Sequence, residues 1–98
     1  MYLHVTVKLK MGASFGRYKE VVRLAKPVFE KHGWELAHSF VTVIGRVNSV
    51  VNIWRVPSAE HVQNGLFDPE LRKALPLLQE VVEDEVISIM NSYSVDRE

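Results

Sequence analysis

Residues 34–56 read WELAHSFVTVIGRVNSVVNIWRV, and this stretch decides the fold. It holds two runs, 34–44 and 47–56, that are rich in β-branched and aromatic residues, the composition typical of β-strands. Gly45-Arg46 separates the runs, and a two-residue link of this kind closes a β-hairpin. We therefore predict strands two and three of a sheet here, joined by a tight turn.

The segment before this hairpin predicts a strand followed by a helix. Apolar and polar residues alternate from Tyr2 to Leu9, the period-two pattern of strand one. Apolar residues then recur at helical spacing after Ser14, which can cap the helix. Gly33 is placed to end it, and Pro27 predicts a kink inside it.

The segment after the hairpin repeats the order helix, then strand. Ser58 predicts the start of a short helix that Gly65 ends, and Asp68-Pro69-Glu70 predicts the start of another helix. Pro76 is expected to interrupt this second helix as Pro27 interrupts the first.

The acidic run at residues 83–85 predicts a solvated turn, and residues 86–93 predict the final strand. Residues 94–98 have no pattern and are expected to be frayed.

The order strand, helix, strand thus occurs twice in 98 residues. Right-handed crossovers in both units place strands one and three in the centre of an antiparallel sheet, with the helices on one face. We predict an α+β protein of the ferredoxin-like βαββαβ class, with residues 1–98 as a single domain. A chain of this length buries only about two thirds of its unfolded surface, so association would stabilise it.

Composition excludes several function classes. Twelve Lys and Arg balance twelve Asp and Glu, so no overall field favours nucleic acid or an anionic membrane as partner. The chain lacks cysteine, which excludes disulfides, thiolate metal sites and a Cys nucleophile. The N-terminus has a strand pattern instead of a signal peptide, so a cytoplasmic location is the default expectation.

No metal and no cofactor are expected. The four histidines form no i, i+4 pair, the spacing that helical zinc sites use. Residues 12–16, GASFG, follow a strand and open a helix but lack the dinucleotide fingerprint.

A hairpin in which Ile44 pairs with Val47 defines the two faces of the sheet. One face, bulky and apolar in its middle, is assigned to the helices, and it carries Leu36, His38, Phe40, Thr42, Ile44, Val47, Ser49, Val51, Ile53 and Arg55. The other face is assigned to be helix-free, and it carries His4, Thr6, Ala37, Ser39, Val41, Val43, Asn48, Val50, Asn52, Trp54 and Val56. An apolar patch on that face, formed by Val41, Val43, Val50 and Trp54, is larger than a monomer usually exposes. We therefore predict a homodimer that packs two helix-free faces around a partly wet cavity.

Residues 44–55, followed by Ser58-Ala59-Glu60, resemble the NIPSNAP family, whose pattern is Gly-x-x-Asn-x-Val-Val-His-x-Trp-Arg. The matching residues are Gly45, Asn48, Val50, Val51, Trp54 and Arg55. Asn52 stands where the pattern has His, and Val56 stands where it has Tyr. The resemblance implies a dimeric α+β barrel, the fold of the related antibiotic biosynthesis monooxygenases and EthD-like proteins.

The candidate site follows from the helix-free face. His4 is a candidate general base with Asn52 as its neighbour, and the alternative is a histidine that only hydrogen-bonds at the dimer seam. Asn48 and Asn52 are candidate donors to a carbonyl or an oxyanion, or else bond to the partner or water. Trp54 offers a stacking wall or simply packs.

Four further residues complete the predicted ligand-binding set. Thr6 and Ser39 lie on the same predicted face, and Arg17 and Tyr18, in the first turn of helix one, are placed to reach the cavity rim.

The leading function hypothesis is a homodimer whose cavity binds a small, largely apolar organic molecule for a cofactor-free oxidation, isomerisation or cyclisation in a degradative or secondary-metabolite pathway. The alternative is a non-catalytic ligand-binding or dimerisation module, so the sequence leaves open whether the protein is an enzyme. An RNA-binding ferredoxin-like domain is disfavoured, because its central strands would need more exposed aromatic residues than Trp54.

Overall fold

A computed structural model describes residues 1–45 and 47–96. Four antiparallel strands form one sheet: β1 (Tyr2–Leu9), β2 (Glu35–Val41), β3 (Ser49–Arg55) and β4 (Val82–Met90), in the spatial order β2-β3-β1-β4. The helices are α1 (Phe15–Lys31), α2 (Ala59–Leu66) and α3 (Leu75–Val81), with a 3₁₀ helix at Pro69–Lys73 between the last two. The central position of β1 and β3 confirms the ferredoxin-like class that the element order predicts.

The first helix has the predicted bounds. It begins after Ser14, runs unbroken through Pro27, and is followed by Gly33 at a φ of +83°. Glycine adopts this left-handed conformation without steric cost, which confirms the predicted end of α1. Ser14 occupies the N-cap position as predicted, but its side chain makes no capping hydrogen bond.

The tight turn predicted at Gly45-Arg46 is wrong. Strand β2 ends at Val41 and β3 begins at Ser49, so residues 42–48 form a longer connection, in which Arg46 lies outside the described residues. The cause is Asn48, which bonds to β1 instead of β2. Its side-chain Nδ2 donates to the carbonyl of Leu9 at 3.0 Å, and its own carbonyl accepts from the Leu9 amide at 2.8 Å.

The helices that follow β3 also differ from expectation. Gly65 lies inside α2 and is buried, so it does not end that helix. The helix predicted from Asp68 onward divides into the 3₁₀ helix and α3. The division falls just before Pro76, as the predicted interruption requires, and Pro76 lies in the first turn of α3, where a proline removes an amide that has no helical partner.

The final strand is longer than predicted, and the turn expected at residues 83–85 is wrong. Strand β4 begins at Val82, directly after α3, and Glu85 pairs with Val7 of β1. An edge strand tolerates such charged residues because much of it remains in water. Of the C-terminal residues expected to be frayed, 94–96 lie outside helices and strands, and 97–98 lie outside the described residues.

The faces of β3 and of residues 38–41 of β2 are the reverse of the prediction, whereas Leu36, on the other side of a register shift, packs beneath the helices as predicted. His38 pairs with Ile53 and Phe40 with Val51, as the predicted register requires. However, β1 pairs Leu3 with Trp54 and Val5 with Asn52, and Leu3 is fully buried beneath the helices.

The helix-covered face therefore carries Val50, Asn52 and Trp54, all buried. The physical reason is Trp54, which packs against Phe29 of α1 and Trp34 just after it. Since side chains alternate along a strand, fixing Trp54 fixes every other residue of β3.

Candidate functional site

A cavity of about 420 Å³ lies between the sheet and the helices. Residues of α1, of the 3₁₀ helix and of α3 form its roof, and residues of β1, β3 and β4 form its floor. Most of its lining is apolar, including Leu3, Val5, Val21, Ala25, Leu78 and Ile87. Only a few polar groups interrupt this lining, and they determine what the cavity can do chemically.

Three aromatic rings close one side of the cavity. The ring centroids of Phe29 and Trp34 lie 4.1 Å apart with nearly parallel planes, and Trp54 meets both rings edge-on at 5.3 and 5.7 Å. Trp34 also donates its indole N–H to the carbonyl of His61 at 2.9 Å. A Cβ on Gly65 would lie 2.8 Å from the Trp34 ring, so α2 can approach this cluster only because residue 65 has no side chain.

Tyr18 and Asn52 form a buried polar pair on the cavity wall. The Asn52 amide lies 2.6 Å from the Tyr18 hydroxyl, and the residues are only 5% and 4% exposed, respectively. Burial raises the pKa of Tyr18 to about 12, although the Asn52 hydrogen bond opposes the shift and the charge of Glu85 adds to it. The phenol is therefore protonated at neutral pH and can act as a hydrogen-bond donor.

Glu85 reaches the cavity from β4. Although its side chain keeps contact with water, the surrounding protein removes enough hydration to raise the pKa of its carboxyl above the ordinary value. Across residues 1–45 and 47–96, no Lys, Arg or His forms an ion pair with it. A carboxylate with a raised pKa and no bound cation is suited to accept a proton.

Asp68, at the cavity edge, is held in place by three partners. Its carboxylate lies 2.7 Å from Nε2 of His32 and 3.0 Å from Nζ of Lys31, and it accepts from the amide of Glu70 at 2.8 Å. These bonds, with that to His32 the largest cause, hold the pKa of Asp68 well below its ordinary range. Asp68 therefore fastens the 3₁₀ helix to the end of α1 and is not free for ligand chemistry.

A second, shallower cavity of about 290 Å³ lies between α1 and strands β2 and β3. Ser39 and Val41 line it, and so do Tyr18 and Asn52. The polar pair thus stands in a wall that is common to both cavities.

The structure brings together only some of the predicted site residues. Tyr18, Asn52 and Trp54 line the main cavity, and Ser39 lines the second one. Two other residues are engaged elsewhere: Asn48 bonds to β1, and Arg17 forms an exposed ion pair with Glu80.

His4 and Thr6 lie on the opposite, helix-free face, so the predicted proximity of His4 to Asn52 is wrong. In the β1–β3 register His4 pairs with Ile53 and Thr6 with Val51. The ring Nδ1 of His4 is 3.5 Å from the Thr6 hydroxyl. The sheet itself therefore separates His4 from the cavity.

The helix-free face is apolar, as expected, but the residues that make it apolar differ from the predicted ones. Its large side chains are Phe40, Val51, Ile53, Val86 and Met90, and Phe40 and Val86 are each 55% exposed. His38 stacks on Phe40 at 5.7 Å. The helix-free face therefore still carries an apolar patch that a partner could cover, but other residues form it than the sequence predicts.

Sequence reasoning missed Glu85 because the acidic run was read as a turn. Residues 83–85 are all acidic, so they carry none of the apolar and polar alternation that would have indicated a strand. In the part of the chain that the structure describes, no three His, Cys, Asp or Glu residues are grouped as a metal site would require. Among those same residues, no helix has the length and apolar character needed to cross a membrane.

Comparison with known proteins supports the predicted resemblance. No family model matches the chain, and no curated protein matches it. A NIPSNAP family protein of unknown function from Agrobacterium tumefaciens has a similar structure, with a TM-score of 0.76 and 29% identity over 97% of this chain and 89% of the other.

Two more distant structures share the fold. An uncharacterized NIPSNAP-like domain protein from Burkholderia xenovorans has a TM-score of 0.76 at 17% identity, covering 99% of this chain and 88% of that one. An antibiotic biosynthesis monooxygenase has a TM-score of 0.63 at 16% identity, covering 95% and 98%. Together these matches confirm the NIPSNAP-like resemblance that residues 44–55 predict.

Proposed function

We propose that this NIPSNAP-like chain binds a small, largely apolar organic molecule in the cavity between its sheet and its helices, and that it does so as a homodimer. The observation that carries the proposal is the cavity itself. Its volume of about 420 Å³ falls in the range of small-molecule sites, which are mostly apolar with a few convergent polar groups. Tyr18, Asn52 and Glu85 are such groups.

The homodimer is supported by the helix-free face. Five large apolar side chains lie there on three of the four strands, β2, β3 and β4, and soluble monomers rarely expose large apolar patches. A second copy is the natural cover, because the same face on another chain is equally apolar and a two-fold axis makes such a contact self-complementary. His4 and Thr6 would then lie at the dimer seam, outside the ligand cavity.

Two function classes remain as proposals for the cavity. The first is cofactor-free chemistry, an oxidation, isomerisation or cyclisation, which the polar groups in an otherwise apolar cavity favour. The second is a non-catalytic carrier, which is favoured by one observation: His4, the predicted general base, lies on the other side of the sheet. Binding is common to both classes and is tested first.

The binding test uses tetralin, a two-ring hydrocarbon, followed by isothermal titration or by the fluorescence of Trp34 and Trp54. Wild-type protein is expected to bind it with micromolar to millimolar affinity. Ala25→Leu, which fills the cavity from α1, is expected to weaken binding at least about tenfold, the effect of about 1.4 kcal/mol. Lys26→Leu places a leucine on the exposed side of the same helix, away from the cavity, and should leave binding unchanged. Absence of binding by wild-type protein would overturn the proposed cavity function.

The dimer test is sedimentation equilibrium. Wild-type protein is expected to have twice the 11.2 kDa chain mass, and Val51→Asp on the helix-free face should sediment as a monomer. Leu24→Asp introduces the same charge on the exposed side of α1 and should remain dimeric. A wild-type monomer would contradict the dimer without affecting the cavity proposal.

A further inference from the structure

The Tyr18–Asn52 pair keeps hydrogen-bond donors free for a ligand. When Asn52 donates its Nδ2 to the Tyr18 oxygen, the phenolic O–H keeps its proton for another acceptor. With the amide turned over, the phenol donates to the Asn52 oxygen and the NH₂ group is left to donate. Within residues 1–45 and 47–96, no other side chain hydrogen-bonds to either residue. Both orientations therefore leave at least one donor for a ligand, and both residues line the cavity.

Glu85 faces the same cavity from the edge strand β4. Strand β1 lies between β3, which carries Asn52, and β4, which carries Glu85. Asn52 pairs with Val5 and Glu85 pairs with Val7, so the two residues lie two strand spacings apart, about 10 Å, and two residues apart along the strands. Apolar Val5 and Val7 lie between them. A one- or two-ring ketone lying between these side chains would place its carbonyl oxygen at the donor and the carbon next to the carbonyl toward the carboxylate.

We propose that the cavity takes a small cyclic ketone, whose oxygen accepts the hydrogen bond from the Tyr18–Asn52 pair and whose α-hydrogen is removed by Glu85. This inference rests on the proposed function, which requires only that the cavity bind an apolar molecule. It adds the oxygen as the point of recognition and proton transfer as the reaction class.

The proposed step is balanced without an oxidant. The C–H bond beside the carbonyl breaks, its proton passes to the Glu85 carboxylate, and its electron pair forms a C=C bond while the carbonyl π pair moves onto oxygen. The Tyr18–Asn52 donor stabilises the charge that develops there. Return of the proton to the same carbon gives only hydrogen exchange, whereas in a ketone with a conjugated C=C bond Glu85 returns the proton to the far carbon and the net reaction is an isomerisation.

The ionisation of the surrounding groups supports this assignment. Burial keeps the pKa of Tyr18 near 12, so the phenol remains a donor, and the raised pKa of Glu85 makes its carboxylate a stronger base. Arg72 and Asp68 also line the cavity. Asp68 is bonded to His32 and Lys31, and Arg72 forms no ion pair with Glu85 within the described ranges.

Recognition of the ketone oxygen is tested with 2-tetralone and tetralin, which differ by the carbonyl oxygen. Wild-type protein is expected to bind the ketone about tenfold more tightly than the hydrocarbon, the contribution of one hydrogen bond. Tyr18→Phe should remove this preference while keeping the affinity for tetralin. Tyr93→Phe deletes the same atom at a residue that is 88% exposed and should preserve the preference.

Proton removal by Glu85 is tested by hydrogen–deuterium exchange at C1 of 2-tetralone in D₂O, which NMR measures. Glu85→Gln is expected to slow exchange at least about 100-fold with the affinity for the ketone retained, whereas Glu83→Gln on the same strand should exchange like wild type. In wild type the rate should rise with pH to a plateau, with a midpoint above 4.5, the ordinary pKa of the group. Glu85→Asp, which keeps the charge, should retain part of the rate even where the glutamine variant folds poorly.

The outcomes separate the two proposals. Failure of wild-type protein to bind either compound overturns the proposed function. Equal affinity for both compounds, or exchange that survives Glu85→Gln, overturns the present inference and leaves apolar binding in place.

Discussion

The two faces of the sheet differ less in composition than in what covers them. On β3, Val50, Asn52 and Trp54 are buried beneath the helices, while Val51 and Ile53 alternate with them on the helix-free side and are half-buried. Both sets are apolar apart from one asparagine. The difference teaches that apolar character alone does not tell which face of a two-sided apolar strand the helices will cover.

The largest expected effect comes from replacing an aromatic residue on each face. In a Val51→Asp background, which removes association, Trp54→Ala is expected to cost about 3–5 kcal/mol of the free energy of unfolding, because it leaves a cavity beside Phe29 and Trp34. Phe40→Ala on the helix-free face should cost less than about 1 kcal/mol, as surface substitutions do. Urea denaturation measures both values, and equal losses would contradict the assignment of faces.

A smaller effect is expected at Gly65, where α2 meets the aromatic cluster. Gly65→Ala places a Cβ 2.8 Å from the Trp34 ring, and such overpacking typically costs about 1–3 kcal/mol. Gly16→Ala in α1 meets only the Ser14 hydroxyl at 3.4 Å and should be neutral or stabilise by up to about 1 kcal/mol. Thermal unfolding of both variants provides the measurement. Equal behaviour would mean that Trp34 can move away, and that the covered face is less rigid than described.

The smallest expected effect on stability concerns Asp68, whose bonds to His32 and Lys31 hold the 3₁₀ helix against the end of α1. Because the folded-state pKa of Asp68 lies below its ordinary 3.8, its contribution to stability is fully present above about pH 4 and is lost as the pH falls through the lowered pKa. Wild-type protein should therefore exceed Asp68→Asn in stability at pH 5–7, and the difference should shrink toward pH 2.5. Urea midpoints across this range test the prediction, with Asp84→Asn on the exposed strand β4 as the control. A constant difference at all pH values would contradict it.

Much of the fold was predictable because its signals are local. Alternation fixed β1, caps and spacing fixed α1, and the order of elements with right-handed crossovers fixed the sheet topology. The failures have physical causes. The link at residues 42–48 is long because Asn48 bonds across to β1, a contact between residues 39 positions apart that local turn chemistry does not contain.

The candidate site was only partly predictable. Asn52, Trp54 and Tyr18 were named from the sequence, and they do line one cavity. Their face was misassigned, since a shift of one residue transfers every side chain of a strand to the other side. Trp34 and Phe29 pack on Trp54 and thereby determine which face of β3 the helices cover. These contacts are tertiary, so the local sequence pattern of β3 does not contain them.

The central claim is that the ligand cavity lies beneath the helices and the helix-free face serves the dimer. Nuclear Overhauser contacts between tetralin and isotope-labelled protein test it most directly. The account predicts contacts from the tetralin protons to the Tyr18 ring and the Ile87 methyl groups, and none to the methyl groups of Val51 or Ile53. Contacts to Val51 and Ile53 without any to Tyr18 would place the ligand on the opposite face and contradict the account.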